Sequence, residues 1–330
     1  PGNAPRFDKA ATALLHPLEA PYEAPPVAGI NTWFNTPATV NLADLKGKVV
    51  LVDFWTYSCI NCVRTLPYVT AWYERYKNDG FVVVGIHTPE FPFEREAENV
   101  QNAVTKHGIT YPVGMDNNWA TWKSFKNRYW PAHYLIDRDG RIVYTHFGEG
   151  NYDVTENNIR YLLGIRDAVP GAEIRPAGNA AAGQTAETYL GTARAKTFRP
   201  EGGLEKDTEK TYGFANNLPL HHWSLQGDWI AEKAGITALS SGAALRLHFK
   251  AGRVFLVMGT LDGNPVDVRL SLNGKPIPTR KAGKAVRNGI LTVTEETIYE
   301  LIAQPDVTEA TLDIEADRAG LQAYAFTFGQ

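Results

Sequence analysis

The sequence predicts two domains of different class, an α/β domain followed by an all-β sandwich of jelly-roll type. Three observations carry this expectation. Apolar runs of strand length alternate with helical periods up to about residue 165, a stretch dominated by Ala, Gly and Pro follows, and beyond it short alternating runs replace the helical period. With 330 residues, 44% of them apolar, the chain can fill two cores of roughly 150 residues each.

Residues 1 to 28 ("HPLEAPYEAPP" among them) show no sustained period and read as a lead-in segment lying on or trailing from a domain. The first domain, 29 to 167, holds three strand-like runs, "KVVLVDFWT" (48 to 56), "FVVVGIH" (81 to 87) and "AHYLID" (132 to 137), the last turning through "RDG" into "RIVYTHFG". Between the first two, residues 59 to 77 carry Val63, Leu66, Val69, Tyr73 and Tyr76 at helical spacing and stop at "NDG". Further helices are expected at 94 to 107, 118 to 127 and 155 to 163. This alternating order implies a mainly parallel sheet with helices on both faces.

Residues 168 to 185 ("AVPGAEIRPAGNAAAGQT") offer almost nothing large enough for a core and read as a linker. From 186 to 330 the runs "ALRLHF", "RVFLVMGT", "VDVRLSL", "GILTV", "TIYELI", "ATLDIEA" and "LQAYAFTF" alternate with turns such as "LDGN" and "LNGKP". That spacing indicates an antiparallel sandwich.

A net charge of −3 and the lack of a long basic stretch argue against nucleic acid or an anionic membrane surface as partner. No run approaches the ~20 apolar residues of a membrane span, and no secretory leader pattern opens the chain. Because it starts at Pro1, it reads as an excised part of something longer or as a processed mature protein, and a lost anchor stays open.

The only two cysteines are Cys59 and Cys62, in "FWTYSCINCVRTLP". A C-x-x-C pair supplies half of a four-thiolate zinc site, and the eight histidines show no H-x3-5-H spacing, so redox chemistry is favoured over structural zinc and over two inert buried cysteines. Cys59 follows a strand and opens a helix, facing unpaired backbone N–H groups and the positive end of the helix dipole. Such placement can lower a thiol pKa from about 8.5 to near 7 or below. Cys59 would then attack a substrate disulfide, and Cys62, one turn on and facing inward, would resolve the mixed disulfide. No metal or cofactor beyond a Cys59–Cys62 disulfide is expected.

"VVLVDFWTYSCINC" resembles the active-site strand and helix of the thioredoxin superfamily. The resemblance extends to Asp53, six residues before Cys59, where the family carries a buried carboxylate that relays the resolving cysteine's proton. It includes Pro67, which matches the proline kinking the active-site helix, and Pro131, which matches a cis-proline facing the disulfide. The insertion "HTPEFPFEREAEN" is similar to that of the extracytoplasmic TlpA-like branch, whose reductases hold an acid near the cysteines, a place Glu90 would take. A thioredoxin-like domain followed by a sandwich similar to a carbohydrate-binding module resembles the soluble C-terminal region of the DipZ family, in which a membrane electron-transfer domain precedes it. The resemblance implies an α/β thioredoxin fold. It also implies an extracytoplasmic protein-disulfide reductase, tethered to the membrane in its full-length form and passing electrons to substrate protein disulfides. Ile60, Asn61 and the bulky Trp130 depart from the pattern and bear on redox potential and substrate choice.

Trp55, Tyr57 and Trp130 are expected to shape the substrate-binding surface around Cys59, while His87 and His133, on apolar strands, read as core histidines. Thr56 reproduces half of the P-x-x-x-T-x-x-C signature of peroxiredoxins, but Val52 stands where its proline belongs, so a peroxidase is the weaker alternative. In "LPLHHWSLQGDW", Trp223 and Trp229 are candidate contacts for a cell-envelope polysaccharide, with the core reading favoured. A glycan-binding protein with an auxiliary thioredoxin fold is the second alternative. His221 and His222 cannot both point one way on a strand, which disfavours a metal there.

Overall fold

The computed structural model describes residues 10–167, 183–200 and 202–329. Proximity of Cα atoms divides the chain into two units, Pro1–Ala177 and Gly178–Gln330. Most of the expected linker, 168 to 182, lies outside the described residues. Its end belongs to the second unit, where the Thr185 N–H donates to Lys250 O at 2.9 Å.

The first unit runs β1 (Tyr22–Glu23), β2 (Trp33–Phe34), β3 (Val49–Trp55), α1 (Ile60–Tyr76), β4 (Phe81–His87), α2 (Ala97–Lys106), β5 (Val113–Met115), α3 (Ala120–Ser124), β6 (Ala132–Ile136), β7 (Arg141–Phe147) and α4 (Tyr152–Leu163). It has a thioredoxin-like fold. The sheet order is β1-β7-β6-β3-β4-β5-β2. Strand β3 lies mid-sheet and is buried along its whole length, which is why it reads as a continuous apolar run. Helix α1 follows it, and the chain turns into β4 at Gly80, whose φ of 94° suits a residue without a Cβ.

Two expectations need correction here. Only β3–β4 and β4–β5 pair in parallel, whereas β6, β7, β1 and β2 all pair antiparallel, so the sheet is mixed and not mainly parallel. The strand–helix alternation that suggests parallel strands holds for the two crossovers through α1 and α2, but β6 returns to the other flank of β3 in the opposite direction. Of the two readings of the lead-in, lying on the domain holds for residues 10 to 28. The Leu15 N–H bonds Asn158 Oδ1 on α4 at 2.7 Å, the Leu18 N–H bonds Val143 O at 2.8 Å, and Tyr22 pairs with Ile142 as an edge strand. The helix expected at 118 to 127 shortens to α3.

The second unit is all-β: β8 (Thr188–Tyr189), β9 (Phe198–Arg199), β10 (Glu209–Tyr212), β11 (Trp223–Ala231), β12 (Ile236–Ala238), β13 (Ala244–Thr260), β14 (Val266–Leu272), β15 (Lys275–Pro276), β16 (Ile290–Val293), β17 (Thr297–Ala316) and β18 (Leu321–Gly329). They form one 11-stranded sheet. Its pairings close a circuit, since β11 pairs β12, β12 pairs β18, β18 pairs β13, and β13 pairs β11. The runs "ALRLHF" and "RVFLVMGT" fuse into β13, and "TIYELI" and "ATLDIEA" fuse into β17. What reads as a break in each is a shift of register between Ala251 and Arg253, opposite the jump from Thr308 to Ala303 that carries Pro305. A bulge lets a long strand bend without ending, and it takes up a proline that a regular ladder would exclude.

Among the described residues, no helix is long and apolar enough to cross a membrane.

Candidate active site

Strand β3 delivers the chain to Thr56, Tyr57 and Ser58, and Cys59 then caps α1 with extended backbone angles (φ −81°, ψ 114°). Its Sγ accepts the Cys62 N–H at 3.4 Å, one of the N–H groups that no helical carbonyl satisfies. The two thiols differ sharply in surroundings. Cys59 is half-buried, whereas Cys62 is 1% exposed. Burial pushes the Cys62 thiol well above its ordinary value, and its hydrogen bond to Cys59 and the charge of that sulfur push the same way. The thiolate form is therefore disfavoured at the inner sulfur.

Trp130 brings its carbonyl to 4.0 Å from Cys59 Sγ, and the Trp130–Pro131 peptide is cis. The Trp130 ring is clamped by Trp122 at 4.2 Å and Trp119 at 5.4 Å, and its Nε1–H donates to Thr88 O at 3.1 Å. Trp130 thus offers backbone to the sulfur while its ring is held. Beside it, Tyr129 (53% exposed) and Phe147 (45%) place their rings 5.2 Å apart, an exposed aromatic pair that no sequence period singled out.

Asp53 lies on β3, 1% exposed, and neither carboxyl oxygen has a hydrogen bond. His133 Nε2 on β6 approaches Oδ1 to 3.3 Å without hydrogen-bond alignment. A buried carboxyl without a hydrogen bond is costly.

Trp55 and Tyr57 do not form a substrate surface. Trp55 is wholly buried with its ring against the edge of His87 at 5.1 Å, and Tyr57, 5% exposed, stacks on His87 at 5.7 Å. Trp55 ends a strand buried on both faces and Tyr57 lies in the turn after it, and the exposure expected of them falls to Tyr129 instead. His87 is a buried core histidine that desolvation holds neutral, its pKa lowered to about 3.

An acid of the insertion that reaches the active-site loop is Glu94. Glu94 is wholly buried and accepts Ser58 Oγ–H at 2.5 Å, the Phe91 N–H at 2.8 Å and the Glu90 N–H. Burial, with the charge of Glu90 adding, raises its pKa to about 7 against those hydrogen bonds. Glu90 is half-buried and contributes its N–H to this cluster. The sequence held a signal for it: Pro92 and Glu94 follow Phe91 as the first and third positions of a short helical turn, where a Glu turns back onto free N–H groups.

In the second unit the glycan contacts are overturned. Trp223 and Trp229 are wholly buried, and their Nε1–H groups donate to Lys196 O at 2.8 Å and Gln226 O at 2.9 Å. His221 and His222 precede β11 in a turn, and His221 adopts a φ of 67°, so strand alternation does not govern them. Among the described residues, no cluster of His, Cys, Asp or Glu could hold a metal ion.

Two family matches divide the chain as the fold does. Residues 23–163 match Redoxin, and residues 185–329 match the thioredoxin-like C-terminal domain family. The first unit is a redoxin domain of the thioredoxin superfamily. DipZ of Mycobacterium tuberculosis (strain CDC 1551 / Oshkosh) is 37% identical over 94% of this chain, which spans 44% of that protein's length. The redoxin domain is also similar to the thiol-disulfide oxidoreductase YkuV of Bacillus subtilis (strain 168), 28% identical over 42% of this chain and 93% of that protein. A solved thioredoxin domain of a thiol-disulfide oxidoreductase from Bacteroides vulgatus is 28% identical, covering 44% of this chain and 99% of its own, with a TM-score of 0.38. The redoxin domain carries a thiol-disulfide oxidoreductase site.

Proposed function

We propose that this chain is the disulfide-exchange part of an extracytoplasmic protein-disulfide reductase. The inequality of the two thiols carries the reading: one caps a helix at the surface, the other is buried a turn behind it. The Cys59 thiolate attacks a substrate disulfide, forming a mixed disulfide and expelling one substrate thiolate. Cys62 gives its proton to Asp53 and attacks Cys59 Sγ, which forms the Cys59–Cys62 disulfide and releases the second substrate thiolate. Pro131 and the Trp130 carbonyl beside Cys59 mark where an extended substrate segment docks, and the Tyr129–Phe147 pair offers it an apolar edge. Two electrons must then return to the disulfide, and the resemblance to the DipZ family supports a membrane electron-transfer domain as their source, with tethering outside the cytoplasm.

The test is mixed-disulfide trapping with a disulfide-bonded protein as probe. Cys62→Ser accumulates adducts through Cys59, whereas Cys59→Ser accumulates none and loses turnover entirely. The opposite pattern rejects the assignment. A Cys59–Cys62 potential more oxidising than that of glutathione would reject reduction as the direction.

A further inference from the structure

Asp53, His133 and His146 lie side by side on three adjacent strands, Asp53 registered opposite His133 and His133 opposite His146, so all three project from one face of the sheet. That face is covered by α1, which contributes Cys62 and Trp72. Both Asp53 oxygens, both His133 nitrogens and His146 Nε2 are buried without hydrogen bonds. Trp72 does not serve them: its ring meets His133 edge-on at 6.1 Å, but its Nε1–H is given to Glu156 at 3.1 Å. The row starts beneath the resolving cysteine and ends at His146, which is half-buried and lies near the Arg64–Glu149 ion pair. Five buried polar atoms without hydrogen bonds on three neighbouring side chains are costly, an arrangement that packing alone does not favour.

We propose that His133 and His146 form a relay that carries to solvent the proton Asp53 takes from Cys62. The relay rests on the role given to Asp53 above. As Cys62 becomes the thiolate that attacks Cys59 Sγ, its proton moves to an Asp53 oxygen. Asp53 then passes a proton to His133 Nε2, 3.3 Å away. His133 releases one from Nδ1 to His146, across a ring separation of 6.3 Å that one bridging water spans, and His146 releases one to bulk water. Each histidine ends neutral with its proton on the other ring nitrogen, to be reset before the next cycle, and one proton has left. Burial, and then the neighbouring His133, lower the pKa of His146, so that it passes a proton on without retaining it.

The test follows the reduced full chain reacting with 5,5'-dithiobis(2-nitrobenzoate) in weak buffer at mildly alkaline pH, with a pH-indicator dye. The first coloured thiolate reports attack by Cys59, the second reports resolution by Cys62, and the dye reports protons reaching bulk. In the wild type the last proton appears with the second thiolate. In His133→Gln and His133→Phe the first thiolate keeps its rate and the proton lags the second by about tenfold, with a smaller lag in His146→Gln. Protons keeping pace with the second thiolate in both His133 variants would overturn the relay and leave Asp53 in place. Equal slowing of both thiolate phases would overturn it in favour of a structural role. If Asp53→Asn does not slow the second thiolate, the role of Asp53 fails, and the relay falls with it.

Discussion

The two units treat buried polar groups in opposite ways. In the second, the described residues leave only Gln304 Oε1 and Thr327 Oγ1 buried without a hydrogen bond. Its buried indoles are bonded, and its charges pair across strands, as Arg246 does with Asp313 at 2.6 and 2.8 Å and Arg269 with Glu315 at 3.0 Å. In the first, more such atoms are left, and those of Asp53, Trp55, His87, His133 and His146 among them lie on β3, on its neighbours β4 and β6, and on β7. A domain that has only to fold satisfies its polar groups, whereas a domain that moves protons and electrons keeps some of them unsatisfied. The first unit's orphaned atoms at Asp53, His133 and His146 belong to the site proposed above.

The comparison breaks most readily at the second unit's tryptophans. Replacing Trp223 or Trp229 with Ala should destabilise that unit by about 3 to 5 kcal/mol, because each removal leaves a cavity and an unpaired carbonyl. Thermal melts of the full chain check this, and an unchanged transition would mean that the rings do not hold the core. Substitution at Asp53 should act in the opposite direction. Asp53→Ala should stabilise the first unit by about 1 to 3 kcal/mol near neutral pH, since it removes a buried carboxyl with no hydrogen bond, while slowing resolution. A stability loss in urea titrations would show that Asp53 is paired after all.

Glu94 sharpens the contrast through pH. Its pKa is raised from 4.5 to about 7, so the folded state binds its proton more tightly than the unfolded state does. Stability from this group is therefore full below about 4.5 and falls as pH rises to about 7, by on the order of 3 kcal/mol at most. Glu94→Gln should flatten stability between those pH values, and a slope unchanged in the variant would remove Glu94 as its source. The smallest effect belongs to the exposed aromatics. Tyr129→Ser should raise KM for a protein disulfide by about threefold to tenfold and leave kcat unchanged, as expected when a contact holds substrate equally throughout the reaction. A fall in kcat with constant KM would place Tyr129 in the chemistry instead.

Local chemistry decided what the sequence alone determines. A continuous apolar run makes β3 a central strand, helical spacing after Cys59 makes α1, and a C-x-x-C pair across that junction puts one sulfur at a helix N-terminus and the other a turn inside. These follow from periods and caps that span a few residues, so the fold of the first unit and the two cysteines were legible. The tertiary structure alone decided which side chains reach the sulfurs. Trp55 stands at a suggestive position, yet the sheet buries it, and a single turn of 3-10 helix brings Glu94 to Ser58. The reverse direction of β6, the fusion of four runs into β13 and β17, and the burial of Trp223 and Trp229 were equally hidden. Each depends on what another segment, distant in the chain, places opposite. The row of Asp53, His133 and His146 is the extreme case: three residues from three separate runs become neighbours only through strand register, which no local pattern encodes.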